Sequence, residues 1–535
     1  MTTRPRRSRP SVAALCAAVA FVLATTGMVA CGGGGGGENP ADTLTVLAGS
    51  EIKDLEPLLP KLEDQTGVHL QLDFSGSIDG AQSILNGNPA DAAWFSLGNY
   101  LTLAQGDEHK VLDSTRIMLS PVVIGVKQSV ARKFGWENNP NVTWQDIAEK
   151  AKAGQFRYAM TNPAASNSGF SALVGVASAF AGTGNALTEN DIHVDQLKQF
   201  FAGQRVTAGS SGFLADSFVR SQSSLDGMIN YESILLELNK SGQLNEPLDL
   251  IYPKDGIITA DYPLMLLNSA KRSLYQKTVN FFLQPAQQQW IMQNTDRRPV
   301  IPQVKPDSRF TRQVLVELQF PSTLTVINAL LEAYLNEIAP PSHAIFVLDT
   351  SGSMNGSRLE ALQRALTGLT GLDSSLTGKF AQFRAREDLT FITFSTRVGY
   401  VKNFTVDTTD PNGPSLTAVR DFVNGLTAGG NTAIFTALDE AYHQAVTALH
   451  QDPTRLTSIV LMTDGENNSG LSFDRFVSDY RSLGAAAQNV RTFPVLFGDA
   501  DPQELHEVAD ETGGEVFDGR SASLSEVFKE IRGFQ

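Results

Sequence analysis

Asp349, Ser351 and Ser353 alternate in the segment Asp-Thr-Ser-Gly-Ser, directly after the apolar residues 344–348. A short buried strand there delivers one carboxylate and two hydroxyls into the loop at its end. In an extended loop, residues two apart point the same way, so the three side chains can converge on one ion. Hard divalent cations such as Mg2+ take oxygen ligands in near-octahedral geometry and keep waters, which suits this donor set better than imidazole or thiolate would. Two later segments complete the constellation. Thr432 follows Gly429-Gly430-Asn431, where glycines release the chain into a turn before a helical stretch at 433–450. Asp464 ends the strand expected at 458–462 and precedes Gly465, a second exit from strand to loop.

The elements that must position these residues form an expected doubly wound (Rossmann-like) sheet. Its strands fall at 344–348, 389–394, 458–462 and 491–497, with helices near 357–372, 433–450, 472–484 and 502–511. All three oxygen-bearing segments then meet at the carboxyl ends of the strands. Residues 341–535 resemble the von Willebrand factor type A (VWA) domain and its metal-ion-dependent adhesion site, whose signature is Asp-x-Ser-x-Ser, a downstream Thr and a later Thr-Asp-Gly. The resemblance implies Mg2+, or Mn2+ or Ca2+, bound directly by Ser351, Ser353 and Thr432 and largely through water by Asp349 and Asp464. It leaves a sixth position for the Asp or Glu carboxylate of a protein partner.

The N-terminal two-thirds alternates strand and helix from its start: strands at 43–47, 69–74, 121–126 and 158–160, helices at 52–65 and 78–85 and one beginning at 144. That pattern specifies an α/β fold with a mostly parallel sheet, in which ligands gather at strand ends. Ser75-Gly76-Ser77 and the segment from Asn162 to Gly169 are two such hydroxyl-rich strand ends. Helix N-termini beside them offer free N–H groups. Residues 43–322 resemble a type II periplasmic solute-binding protein, a two-lobed clamp, through these stretches and through Ser120-Pro121-Val122-Val123-Ile124, Trp144-Gln145-Asp146, Asn230-Tyr231-Glu232 and Tyr252-Pro253-Lys254-Asp255-Gly256. The resemblance implies an interlobe cleft lined by Ser50, Ser75, Ser77, Ser96, Ser166, Ser168 and Tyr231, taking a small polar solute. Glu51 departs from oxyanion receptors, because a carboxylate repels sulfate-like ligands. Residues 323–340 read as a linker helix whose apolar stripe of Leu324, Ile327, Leu331, Tyr334, Leu335 and Ile338 must pack on a domain.

The first thirty residues read as a lipoprotein signal peptide: Arg4, Arg6, Arg7 and Arg9 precede an apolar stretch that ends Met28-Val29-Ala30-Cys31. Cys31 is the expected site of lipidation, and residues 31–42, with their glycine run, are a flexible tether. The expected location is therefore the extracytoplasmic face of the cell membrane, reached by a lipid anchor. Besides Cys31 the chain has only Cys16, inside the apolar stretch, so the domains hold no disulfide or thiolate. The formal charge is −15, and the first thirty residues contribute only arginines, so the remainder is more acidic still. Nucleic-acid binding requires a basic stripe and is excluded.

Catalysis is not expected. The seven histidines are scattered, and no Gly-x-Ser-x-Gly elbow occurs. Gly514 to Ser521 mimics a phosphate loop, but Arg520 replaces Lys, and Glu515 and Asp518 oppose phosphate. The expected function is capture of an acidic partner group through the metal by the C-terminal domain, with the N-terminal domain binding a solute. The alternative is the substrate-binding component of an ABC transporter, with the C-terminal domain as a docking module.

Overall fold

The computed structural model describes residues 42–535 except positions 312 and 522, so the expected signal, Cys31 and the glycine run lie outside the described residues. Among the described residues no helix is long and apolar enough to cross a membrane.

Two sheets build the N-terminal region. In the first, Thr43–Ala48 lies between His69–Phe74 and Ala92–Trp94 in parallel. Pro263–Leu266 and Asp113–Arg116 extend it antiparallel. The spine of the second is Met118–Lys127, buried along nearly its whole length. It pairs with Gly227–Tyr231, Leu248–Ile251, Thr259–Ala260 and Arg298–Pro299. Beyond Gly227–Tyr231 come Tyr158–Met160 and Gln204–Val206. The chain passes between the sheets three times: at Ile117, back at Asp261–Tyr262, and again ahead of Arg298–Pro299, where Arg297 still bonds Asp54 of the first lobe and Arg298 already bonds Glu232 of the second. The result is two α/β lobes joined by three crossings.

A proline reshapes one expected element. Residues 50–58 are a 3-10 helix, Ser50–Leu58, and the α-helix starts only at Leu59–Thr66. Pro57 lies inside the 3-10 stretch and lacks the N–H for an i→i−4 bond, whereas Pro60 falls in the first turn of the α-helix, where its missing N–H costs nothing. The helix Leu324–Ala333 is capped by Thr323, whose hydroxyl accepts from Val326 N at 3.4 Å. It ends in a π turn, Tyr334–Ile338. Its stripe packs on the second lobe: Tyr334 stacks edge-on to Phe201 at 5.1 Å, and its hydroxyl donates to Gln204 Oε1 at 3.3 Å.

The C-terminal domain is one sheet between helical layers. In the described residues its strand order is Val398–Thr405, Asp388–Phe394, Ser342–Asp349, Leu456–Thr463, Arg491–Leu496, Phe517–Asp518. Only the edge strand Val398–Thr405 is antiparallel. The central strands are apolar runs because helices cover both faces. Ser342–Asp349 is buried at every residue, with Phe346 stacked on Phe391 at 5.2 Å. The last helix, Leu524–Arg532, begins in a capping box of Ser523 and Glu526. It ends on Arg532, which is 1% exposed and forms a two-pronged ion pair with the fully buried Glu387 at 2.6 and 2.7 Å.

Burial alone would raise the Glu387 carboxyl, but the Arg532 guanidinium holds it below its ordinary value. A depressed carboxylate stabilises the fold above its unfolded pKa of about 4.3, and that contribution fades as pH falls through the folded value. Glu387→Gln should therefore cost roughly 3–5 kcal/mol at pH 7, because it strands a buried cation. In urea titrations the gap to the parent chain should narrow below about pH 4; a gap independent of pH would contradict this account.

Candidate functional site

Ser342–Asp349 is paired on one side with Asp388–Phe394 and on the other with Leu456–Thr463, both parallel. The chain thus winds first one way and then the other from this strand. The crevice at such a reversal, outside the carboxyl ends of the strands, is where open α/β sheets bind ligands. Asp349 and Asp464 stand at its two lips, each with no solvent exposure.

The oxygens are stitched together directly. Asp349 Oδ1 accepts from Ser351 N at 2.7 Å and Oδ2 from Thr463 Oγ1 at 2.7 Å. Ser351 Oγ lies 2.9 Å from Ser353 Oγ, which donates to Asp464 Oδ1 at 2.7 Å. Thr432 arrives on the third loop. Gly430 adopts φ +92°, closed to residues with a Cβ, and its carbonyl accepts from Gly352 N at 2.9 Å. Thr432 N then donates to Asn468 Oδ1 at 2.8 Å. A Cβ on Gly465 would stand 3.8 Å from Thr432 Oγ1 and 3.9 Å from Ser353 Oγ, so both hydroxyls border the same small space. Ser353 is exposed, whereas Ser351 and Thr432 are buried, so the cluster opens to solvent on the Ser353 side. All five residues singled out from the sequence are brought together.

Arg358 was not among them. Its Nη1 donates to Asp464 Oδ2 at 2.7 Å and its Nη2 to Asp499 Oδ2 at 2.7 Å. Gly498, at φ +53°, makes room for this contact, because a Cβ there would lie 3.0 Å from both Arg358 Cζ and Asp464 Cβ. The basic residue in the first turn after the motif was the available signal. Its partners lie more than a hundred residues away. Electrostatically the cluster is anionic. Burial pushes the Asp349 carboxyl up, Thr463 and Ser351 lower it again, and Asp464 adds repulsion. Among the described residues no three His, Cys, Asp or Glu side chains group to hold a metal, so a cation here would rest on two carboxylates and three hydroxyls.

A second site lies between the lobes, a chamber of about 870 Å³. Ser50, Ser75, Ser77 and Ser166 line it, together with Glu51, Asn162, Asn167, Ser210 and Ser211. Ser96, Ser168 and Tyr231 do not face it. They are at most 1% exposed and bond behind its wall. Ser96 Oγ accepts from Tyr231 Oη and from Asn167 Nδ2, each at 2.9 Å, which ties the lobes directly. Ser168 Oγ lies 2.8 Å from both Thr161 Oγ1 and Ser211 Oγ. Burial holds the Tyr231 phenol far above its ordinary value, so it remains a donor.

These geometries agree with what the chain is similar to. Residues 44–294 match the family model described as bacterial extracellular solute-binding protein, and residues 344–530 match the von Willebrand factor type A domain. The chain thus joins a solute-binding domain to a VWA domain, and neither description is of an enzyme. Inter-alpha-trypsin inhibitor heavy chain H3 of Mesocricetus auratus and that of Homo sapiens are each 31% identical over 172 residues. The match takes in 30% of this chain and only 18% of theirs. Among solved structures, the sulfate-binding protein SubI of Mycobacterium tuberculosis aligns over 54% of this chain and 96% of its own, at 20% identity and TM-score 0.41. The periplasmic binding protein AfuA of Actinobacillus pleuropneumoniae aligns over 55% and 98%, at 14% identity and TM-score 0.44. A von Willebrand factor type A structure from Catenulispora acidiphila aligns over 37% and 43%, at 20% identity and TM-score 0.29.

Arg358 is partly solvated but Asp464 is not. Arg358→Met should therefore cost about 1–3 kcal/mol in chemical denaturation, by leaving a buried carboxylate without its cation. Asp499 is 85% exposed, so Asp499→Ala should be nearly silent. Equal effects would show that the guanidinium acts on Asp499 instead.

Proposed function

We propose that the C-terminal domain binds a divalent cation, Mg2+ or Mn2+ or Ca2+, at Asp349, Ser351, Ser353, Thr432 and Asp464, and through it captures an acidic group of a protein partner. The observation that carries this reading is the charge imbalance. Of the two fully buried carboxylates only Asp464 meets a guanidinium, that of Arg358, which it shares with the exposed Asp499, and three hydroxyls border the same space. A cation relieves that repulsion, and neutral hydroxyls add no charge to cancel its electrophilicity. When bound, the cation supplies an electron-poor position for a carboxylate. The chain's own residues do the rest. Ser351 N–H and Thr463 fix the Asp349 carboxylate, Arg358 aims Asp464 Oδ1 toward Ser353, and Gly430 brings Thr432 over the gap.

The N-terminal domain binds a small polar solute in this reading. The chamber's lining carries hydroxyls and amides, with four carboxylates, Glu51, Glu515, Glu526 and Glu530, against three cations, Arg384, Lys529 and Arg532. This favours a neutral or cationic hydroxylated solute over an oxyanion. The chain is held at the extracytoplasmic face by lipid on Cys31. The chamber equally serves the second reading, solute delivery to an ABC transporter with the C-terminal domain docking on a partner.

Isothermal titration with Mn2+ and Mg2+ tests the metal. The parent chain should give saturable one-site heats, which Asp349→Asn abolishes and Thr432→Val weakens at least tenfold. Heats unchanged in Asp349→Asn would overturn the site. For the cleft, glucose or glucosamine at 100 times its dissociation constant should stabilise the chain by about 2.7 kcal/mol in thermal shift, with sulfate inert. A shift with sulfate alone would overturn the solute class.

A further inference from the structure

The solute chamber is not walled by the two lobes alone. Phe380, Arg384, Arg532 and Phe534 of the C-terminal domain form its remaining side. These residues belong to two feet that land on opposite lobes. The helix Leu376–Ala381 packs on Ser77–Leu85 of the first lobe. There Phe380 is 7% exposed and belongs to the N-terminal core. The other foot is the end of the last helix. The Phe534 ring stands 5.0 Å from Phe213 of the second lobe, and a Cβ on Gly209 would run into that ring. Alongside, Asn162 Nδ2 reaches Arg532 O at 3.5 Å, and Arg220 Nη1 donates to Asp510 O at 3.0 Å.

The feet are tied to each other inside the C-terminal domain. Arg532 donates to the carbonyls of Ala381 and Gln382 at 3.0 and 3.2 Å, and Lys529 pairs with Asp373 at 2.5 Å. One rigid body thus touches both jaws of a clamp. Rotation of the lobes about the crossings at Ile117, Asp261–Tyr262 and Arg297–Arg298 separates the loops at 74–77 and 162–167, and those loops lie under the feet.

We infer that the C-terminal domain is a brace across the solute clamp: it holds the lobes at a fixed spacing, and the cleft opens only when one foot detaches. Solute exchange is then linked to the C-terminal domain. By reciprocity, a partner that favours the detached state loosens solute binding to the extent that solute opposes detachment. The inference rests on the reading of the N-terminal domain as a solute clamp. Its test uses no solute, so it fails or succeeds independently of whether any solute binds.

Lys61 and Gln145 are exposed, one on each lobe. Spin labels on Lys61→Cys and Gln145→Cys, in the full chain with Cys16→Ser and Cys31→Ser, report the spacing by pulsed electron paramagnetic resonance. The expected result is one narrow distance that broadens and lengthens by several ångströms in Phe380→Asp, which removes the first-lobe foot, and in Gly209→Val, which wedges off the other. Gly209 lies in a loop outside both cores, so this variant carries the test if Phe380→Asp fails to fold. A distribution unchanged in a folded variant, or already broad in the parent, overturns the brace.

Discussion

Asp349 and Asp464 are fixed without solvent exposure at the carboxyl ends of two neighbouring parallel strands, and the whole C-terminal face is organised around the cost of holding them there. Their strands are locked in register by packing on both faces, so the carboxylates cannot retreat from each other by a slip that would not also expose the core. Isolated buried charges are too costly to persist unpaired. The surrounding donors answer this one by one: a backbone N–H and the Thr463 hydroxyl for Asp349, and the Ser353 hydroxyl and Arg358 for Asp464. What these donors leave is a pair of anions with less than a pair of positive charges. The proposed cation would relieve this imbalance.

The central strands of the C-terminal sheet were legible because burial on two faces writes itself as uninterrupted apolar residues, as at 344–348 and 458–462. The oxygen cluster was legible because each member sits where a strand gives way to a loop, a position marked by glycine and polar residues. The edge strand Val398–Thr405 was not anticipated. It is half-exposed and mixes Gly399, Tyr400 and Lys402, and it is a strand because it pairs with Asp388–Phe394. Arg358 escaped for a related reason. A guanidinium's choice of partner is a tertiary fact, settled by Asp464 and Asp499 arriving from other loops.

The cleft shows a subtler limit. A serine at a strand end can face a solute, cap a helix or bond another serine, and its neighbours in sequence do not decide among these. Ser166 lines the chamber, while Ser168, two residues on, is turned into the Thr161–Ser211 network. Ser96 and Tyr231 are consumed in joining the lobes, a role set by how closely the lobes approach. The hydroxyl-rich pattern therefore reached the chamber with Ser50, Ser75, Ser77 and Ser166 but could not apportion its members between wall and latch.

The C-terminal sheet is used at both ends, and its rigidity makes the two uses one problem. Gln535, beside the foot on the second lobe, donates to Ser458 Oγ near the amino end of Leu456–Thr463. Asp464 lies just past the other end of that strand. Six residues of extended chain span roughly 20 Å. The strand between is buried from Ser458 onward and hydrogen-bonded to partners on both sides, so it transmits displacement instead of absorbing it. The oxygen cluster thus lies at the end of the strand away from the feet and opens to solvent at Ser353, while the opposite end of the same strand is anchored beside the chamber. In the proposed reading, a partner's pull on Asp464 would reach the feet along this strand, whose ladder runs unbroken from Ser458 to Thr463.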